Sequence, residues 1–209
     1  MPVLLALLVA ASASLTPRVP ERPAIELVVD VDRGVTLTRA DLTAVSRELT
    51  AIWSPLVDLH VILPGEVTRP GTADVGRMTV TARTLDRQDS GGLGWIDFID
   101  AVPQPAITVS TTALAGLIAS GTWDHRSIAG LPPHAARLAL RHGLARAAAH
   151  ELGHYLLRST AHARTGLMRA RFSVDDLLDA RARATRLEAE QIARLTDSGL
   201  RVARQNDEP

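Results

Sequence analysis

His150, Glu151 and His154 fall within five consecutive residues, His150-Glu151-Leu152-Gly153-His154, in a stretch rich in alanine and leucine. Residues four apart share one face of an α-helix, so the two imidazoles can offer nitrogen ligands to a single ion. Zinc takes histidine nitrogen at about 2.0–2.1 Å, and a catalytic zinc site uses three protein ligands and keeps one position for water. Glu151 sits about 100° around the helix from His150. From there its carboxylate reaches the water rather than the ion, and as general base it takes a proton that the ion has made acidic. The same spacing also suits a surface helix with two solvated histidines. Against that stands the small, apolar character of the helix, which reads as buried. In such a place an unpaired carboxylate and two imidazoles are costly without a purpose.

A third ligand is at hand in His162, which follows a short polar break and is placed to fold back toward the pair. Next comes Thr165-Gly166-Leu167-Met168, a tight turn ending in methionine. The stretch HELGHYLLRSTAHARTGLM resembles the metzincin metalloproteases, whose pattern is HExxHxxGxxH followed by a methionine-containing turn. The resemblance covers residues 149–171 and keeps the methionine at the offset shown by the matrix-metalloprotease-like members. It implies a zincin fold, zinc as cofactor and a peptide or protein substrate. It also implies His150, His154 and His162 as ligands, Glu151 as base and Met168 as the apolar floor beneath the metal. Two positions depart from the pattern. The family glycine is replaced by Leu157, and its third histidine falls on Thr160, with His162 two residues later. A helix one residue longer, then a longer turn, would return His162 to the metal. Asp175, Asp176 and Asp179 are the alternative third ligands. Asp176 has a capping role with Ser173, and Asp175 suits a helix N-terminus, which favours His162 over them.

Other candidates carry less. His142 lies about 80° off the face of His150 and reads as an ordinary helix histidine. His60 reads as a strand residue, and His125 and His134 have no evident partner. Tyr155, beside a candidate ligand, points elsewhere on a helix. Arg169 and Arg171 suit either a substrate carboxylate or solvent. For the substrate, the segment 93–98 with Gly94, Trp95 and Ile96 is a candidate edge strand that would pair with extended peptide by strand addition. An internal strand with Trp95 and Phe98 in the core is the equal alternative.

The elements that must position these residues follow from periodicity. Residues 25–31 alternate as a strand, and Thr38 with Asp41 makes a capping box before a helix whose Leu42, Val45, Leu49 and Ile52 share a face. Strands are expected at 56–63, 78–82, 94–99 and 107–110, then one long helix over 134–157 and a final helix from 174 to about 195. The expected class is α+β and zincin-like: a mixed twisted sheet of about five strands, a backing helix, an active-site helix and a C-terminal helix.

The chain has 209 residues, formal net charge zero, no cysteine and 46% hydrophobic residues, and all 23 basic residues are arginine. This composition excludes a disulfide framework, a thiolate metal site, a thiol nucleophile and a disordered chain. Charge balance argues against nucleic acid as a partner. Residues 1–13 read as a signal peptide ending in an Ala11-Ser12-Ala13 cleavage site, which directs the chain to export from a bacterium, and no later stretch is apolar enough to anchor it. Residues 14–23 form an extended lead-in, 24–204 one catalytic domain and 205–209 a frayed tail, with the oligomeric state left open. The resulting expectation is an exported zinc metalloendopeptidase. The alternatives are a catalytically inactive secreted zinc-binding module acting in protein interaction, and an α/β domain with an incidental motif.

Overall fold

The computed structural model describes residues 22–67, 76–84, 92–123, 126–127, 131–178 and 185–205, the side chains of 76, 123, 126 and 198–205 excepted. The expected signal peptide, most of the lead-in, His125, Asp179 and residues 206–209 lie outside these.

The first half is built on a five-stranded mixed sheet of order β2-β1-β3-β5-β4. β1 (Ala24–Val31) feeds α1 (Arg39–Trp53), which returns the chain to β2 (Asp58–Ile62), parallel to β1. The expected capping box starts α1: Thr38 accepts from the Asp41 N–H at 3.3 Å, and the Asp41 carboxylate accepts from the Thr38 N–H at 2.8 Å. β3 (Gly76–Arg83) lies parallel on the other side of β1, and β5 (Val102–Ser110) parallel to β3. β4 (Gly94–Ile99) closes the order as an antiparallel edge strand against β5. Leu27, Met78 and Ile107 on neighbouring strands are fully packed, as are Leu49 and Trp53 of α1, so sheet and backing helix share one core.

α3 (Pro133–Leu157) runs through that core, and every residue from 143 to 154 is buried. Pro133 opens it, where a missing N–H costs nothing. The alanines at 145 and 147–149 let sheet and α1 approach closely.

Three expectations need correction. β5 is nine residues long rather than four. Its extra length holds Pro103 and Pro105, and pairing with β3 begins only at Ala106, so the prolines lie where one side of the strand is open. A helix, α2 (Thr111–Ser120), occupies a stretch given no element by the sequence; Ser110 caps it by accepting from the Ala113 N–H at 3.0 Å. A short hairpin, β6 (Thr122–Trp123) and β7 (Arg126–Ser127), follows. The single final helix is two, α4 (Val174–Leu178) and α5 (Ala189–Gln205). Residues 186–188 between them have no regular secondary structure, and they serve the methionine turn: Arg186 O accepts from the Leu167 N–H, and Glu188 accepts from the Thr165 hydroxyl.

Candidate metal centre

His150 and His154 lie on one face of the buried half of α3, 7% and 5% exposed. Each imidazole is oriented by a backbone carbonyl. His150 Nδ1 donates to Leu167 O at 2.8 Å, and His154 Nδ1 donates to Ser159 O at 2.6 Å. A carbonyl only accepts, so the proton must sit on Nδ1 in both rings, and both Nε2 atoms present lone pairs. Those two Nε2 atoms face each other at 3.0 Å. Two lone pairs at that distance repel unless a cation lies between them. Ligand atoms of a tetrahedral zinc stand about 3.3 Å apart. The donor chemistry therefore fits a metal ion.

His162 completes the group: ligand nitrogens of His150, His154 and His162 all lie within 4.8 Å of one another. The return is made by the helix end. α3 continues through Leu157, and Arg158 takes the left-handed conformation, φ 49° and ψ 44°. The Ser159 N–H then donates to His154 O and the Arg158 N–H to Tyr155 O, both at 3.2 Å, a Schellman closure with arginine where glycine usually sits. The closure comes one residue later than in the metzincin pattern, and the His162 ring arrives with its centroid 5.3 Å from that of His150 and 4.9 Å from that of His154. Of the alternative ligands, Asp176 is engaged elsewhere, accepting from Ser173 and Arg169, and Asp175 is exposed.

Met168 is fully buried. A Cβ on Gly153 would stand 2.3 Å from its sulfur and 3.6 Å from Trp53, so the glycine inside the motif is what lets the methionine turn press against the helix. The turn also depends on Gly166, at φ +71°, where a Cβ would collide with Arg186 O.

Glu151 is 6% exposed, and burial pushes its carboxyl up to about 7. Burial also pushes His150 down to about 4, partly opposed by its bond to Leu167 O, and lowers His154. Both imidazoles are thereby kept neutral, the form that binds metal. A Cβ on Gly94 would lie 3.1 Å from Glu151 Cγ and 3.3 Å from Oε1, so the carboxylate rests against bare backbone of the edge strand β4. Trp95 and Ile96 follow in that strand, opposite Thr108 and Ile107. The sequence missed Phe172, whose ring stands edge-on to His150 with centroids 5.6 Å apart. It also missed the partner of His142, which is Glu48 of α1, and the inward role of Arg169, which pairs with Asp176. No spacing rule marks these residues, because each acquires its neighbour through the fold.

No family model and no curated protein sequence matches the chain. Among solved structures, metalloproteinase-II from Bacteroides fragilis is similar, with a TM-score of 0.51 at 12% identity, over 87% of this chain and 54% of that one. This chain thus spans about half the length of that protein's structure. A zinc-dependent peptidase from Methanocorpusculum labreanum gives a TM-score of 0.47 at 15% identity, over 82% of this chain and 99% of that one. The archaemetzincin of Methanopyrus kandleri gives 0.45 at 14% identity, over 90% and 99%. The likeness to the Bacteroides fragilis protein is one of fold: the chain has the zincin-like α+β architecture.

Proposed function

We propose that this protein is a metzincin-like, zinc-dependent endopeptidase. The observation that carries the reading is the pair of histidines whose Nδ1 protons are taken by carbonyls and whose Nε2 lone pairs converge at 3.0 Å, with a third histidine alongside. His150, His154 and His162 would hold the zinc ion, which would supply Lewis acidity toward a water and the scissile carbonyl. Glu151 then acts as general base and acid, taking the proton of the attacking water and delivering it to the leaving amine. A carboxyl raised to about 7 by burial is suited to both transfers near neutral pH.

The place for substrate is the outer edge of β4, which no described strand covers. The Ser110 N–H donates to Leu93 O at 2.9 Å, and the register runs on through Gly94 opposite Val109 and Trp95 opposite Thr108. Antiparallel pairing alternates, so Leu93 and Trp95 turn their backbone groups toward β5, and Gly94 and Ile96 turn theirs outward. An extended peptide pairing there runs past Glu151. The likeness in fold to the Bacteroides fragilis metalloproteinase supports a peptide or protein substrate. Among the described residues no helix is long and apolar enough to cross a membrane. Export with cleavage after Ala13 belongs to the same proposal, and N-terminal sequencing that begins at Ser14 tests it.

Glu151→Ala tests the mechanism. The purified variant should keep one zinc per chain and lose hydrolysis of a denatured protein by about 10²–10⁴-fold. Undiminished hydrolysis would remove Glu151 from the chemistry, and a parent protein without stoichiometric zinc would end the metal reading.

A further inference from the structure

We propose that Arg169 is a positioning residue for the metal centre, acting through the Leu167 carbonyl on His150; this deepens the peptidase reading and rests on it. Leu167 O fixes the tautomer and ring orientation of His150, so whatever holds that carbonyl in place holds the first ligand. The turn that presents it is gripped from several sides. The Leu167 N–H donates to Arg186 O at 2.8 Å, and Met168 O accepts from the Ala163 N–H at 2.7 Å. The Met168 sulfur lies against Gly153. The remaining grip is charged: Arg169 Nε donates to Gly166 O at 3.2 Å, next to Leu167, while its Nη1 pairs with the Asp176 carboxylate.

Asp176 is a fixed anchor. Its other carboxylate oxygen accepts from the N–H and the hydroxyl of Ser173, each at 2.8 Å, and its backbone carbonyl accepts from Arg146. Arg146 is 3% exposed and stands one helical turn before His150 on α3. The contacts therefore close a ring: α3 through Arg146 to Asp176 of α4, through Arg169 to the methionine turn, and through Leu167 O back to α3 at His150. A buried guanidinium is costly unless its donors are used: Arg146 pairs with Glu48 of α1 through Nε, and its bond to Asp176 O ties the same side chain into this ring. The ring needs an arginine at 169, because Nε and Nη1 serve two acceptors in fixed directions. A lysine ammonium on its flexible stem serves them as a point charge without that fork.

The experiment compares the full-length parent with Arg169→Met, Arg169→Lys and Asp176→Asn. It measures zinc affinity by competition with a chromophoric chelator, the visible spectrum of the cobalt(II)-substituted protein, and thermal unfolding of the metal-free protein. Arg169→Met should weaken zinc binding about 10–100-fold and shift the cobalt bands, with Arg169→Lys recovering part of the affinity. Asp176→Asn should reproduce the loss, and it serves if Arg169→Met does not fold. A purely structural role lowers the metal-free unfolding temperature and leaves the affinity and spectrum of the folded protein unchanged, and that outcome overturns the proposal. Failure of the parent itself to bind zinc overturns the peptidase reading and this inference together. Tight binding by parent and variants alike overturns this inference alone.

Discussion

A histidine that donates from Nδ1 to a backbone carbonyl has its tautomer chosen for it, and His150 and His154 are both in that position. His162 differs from them: it is exposed and comes from the loop after the helix. Its replacement should therefore separate metal binding from folding. In His162→Ala, zinc affinity measured against a chelator should fall by at least about 100-fold, beyond what loss of an outer-sphere partner costs. The metal-free protein should unfold within about 0.5 kcal/mol of the parent, as exposed substitutions do. An unchanged affinity would take His162 out of the ligand set. At this scale the sequence shows His150, Glu151 and His154 clearly, because a period of 3.6 residues is enough to bring two imidazoles together. It shows His162 less clearly, since only the turn geometry decides whether a residue two positions late can return. The reason for Gly153 cannot be read at all until Met168 is seen lying against it.

That turn geometry belongs to the scale of elements. α3 ends on Arg158 in the left-handed region, where a Cβ crowds the backbone and glycine does not. The metzincin pattern places its glycine at the position of Leu157, which here is still helical. The helix thus gains a residue, and the longer loop from 158 to 162 brings His162 back beside His150 and His154. Arg158→Gly should relieve the crowding and stabilise the fold by about 0.5–1 kcal/mol, net of the extra freedom glycine gives the unfolded chain, as read by urea unfolding of the metal-free protein. A loss of stability would mean that the arginine side chain contributes more than its backbone costs. α1 was legible from its period and capping box, α3 from an alanine- and leucine-rich run without proline after Pro132-Pro133, and the strands from short apolar runs with turn residues between them. α2 was not: Thr111–Ser120 is apolar nearly throughout and begins on the last residue of β5, so it shows neither a polar face nor a break. The interruption between α4 and α5 escaped for another reason. Its cause is the methionine turn, 19 to 23 residues earlier, which needs Arg186 O and Glu188.

Across the whole molecule, α1 and α3 are joined by charges that no local pattern could have paired. Asp41 and Glu48 of α1 meet Arg137, Arg141, His142 and Arg146 of α3, at separations of 94 to 100 residues. Read along the sequence these arginines look like a solvated face, and in the structure one side of that face is turned onto α1. Asp41 is the centre of the arrangement, with its side chain 1% exposed while Arg137 and Arg141 keep 47% and 29%. The hydrogen bonds from Arg137 hold its carboxyl well below the usual carboxylate range against the opposing effect of burial, with Thr38 and Arg141 adding to them. A carboxyl depressed in the folded state stabilises the fold above its unfolded pKa, near 3.9, and that contribution drains away as pH falls from there toward the folded value. Asp41→Asn should therefore cost about 2 kcal/mol at pH 7, less than the loss of a fully buried pair because both guanidiniums can turn to water. The deficit should shrink as pH is lowered below about 4, where the parent's unfolded chain begins to take up the proton that its folded form resists. Urea unfolding of parent and variant at pH 7 and at pH 3 measures both. A deficit that stays constant between the two would show that Asp41 holds α1 to α3 through its hydrogen bonds as a neutral group could, and not through its charge.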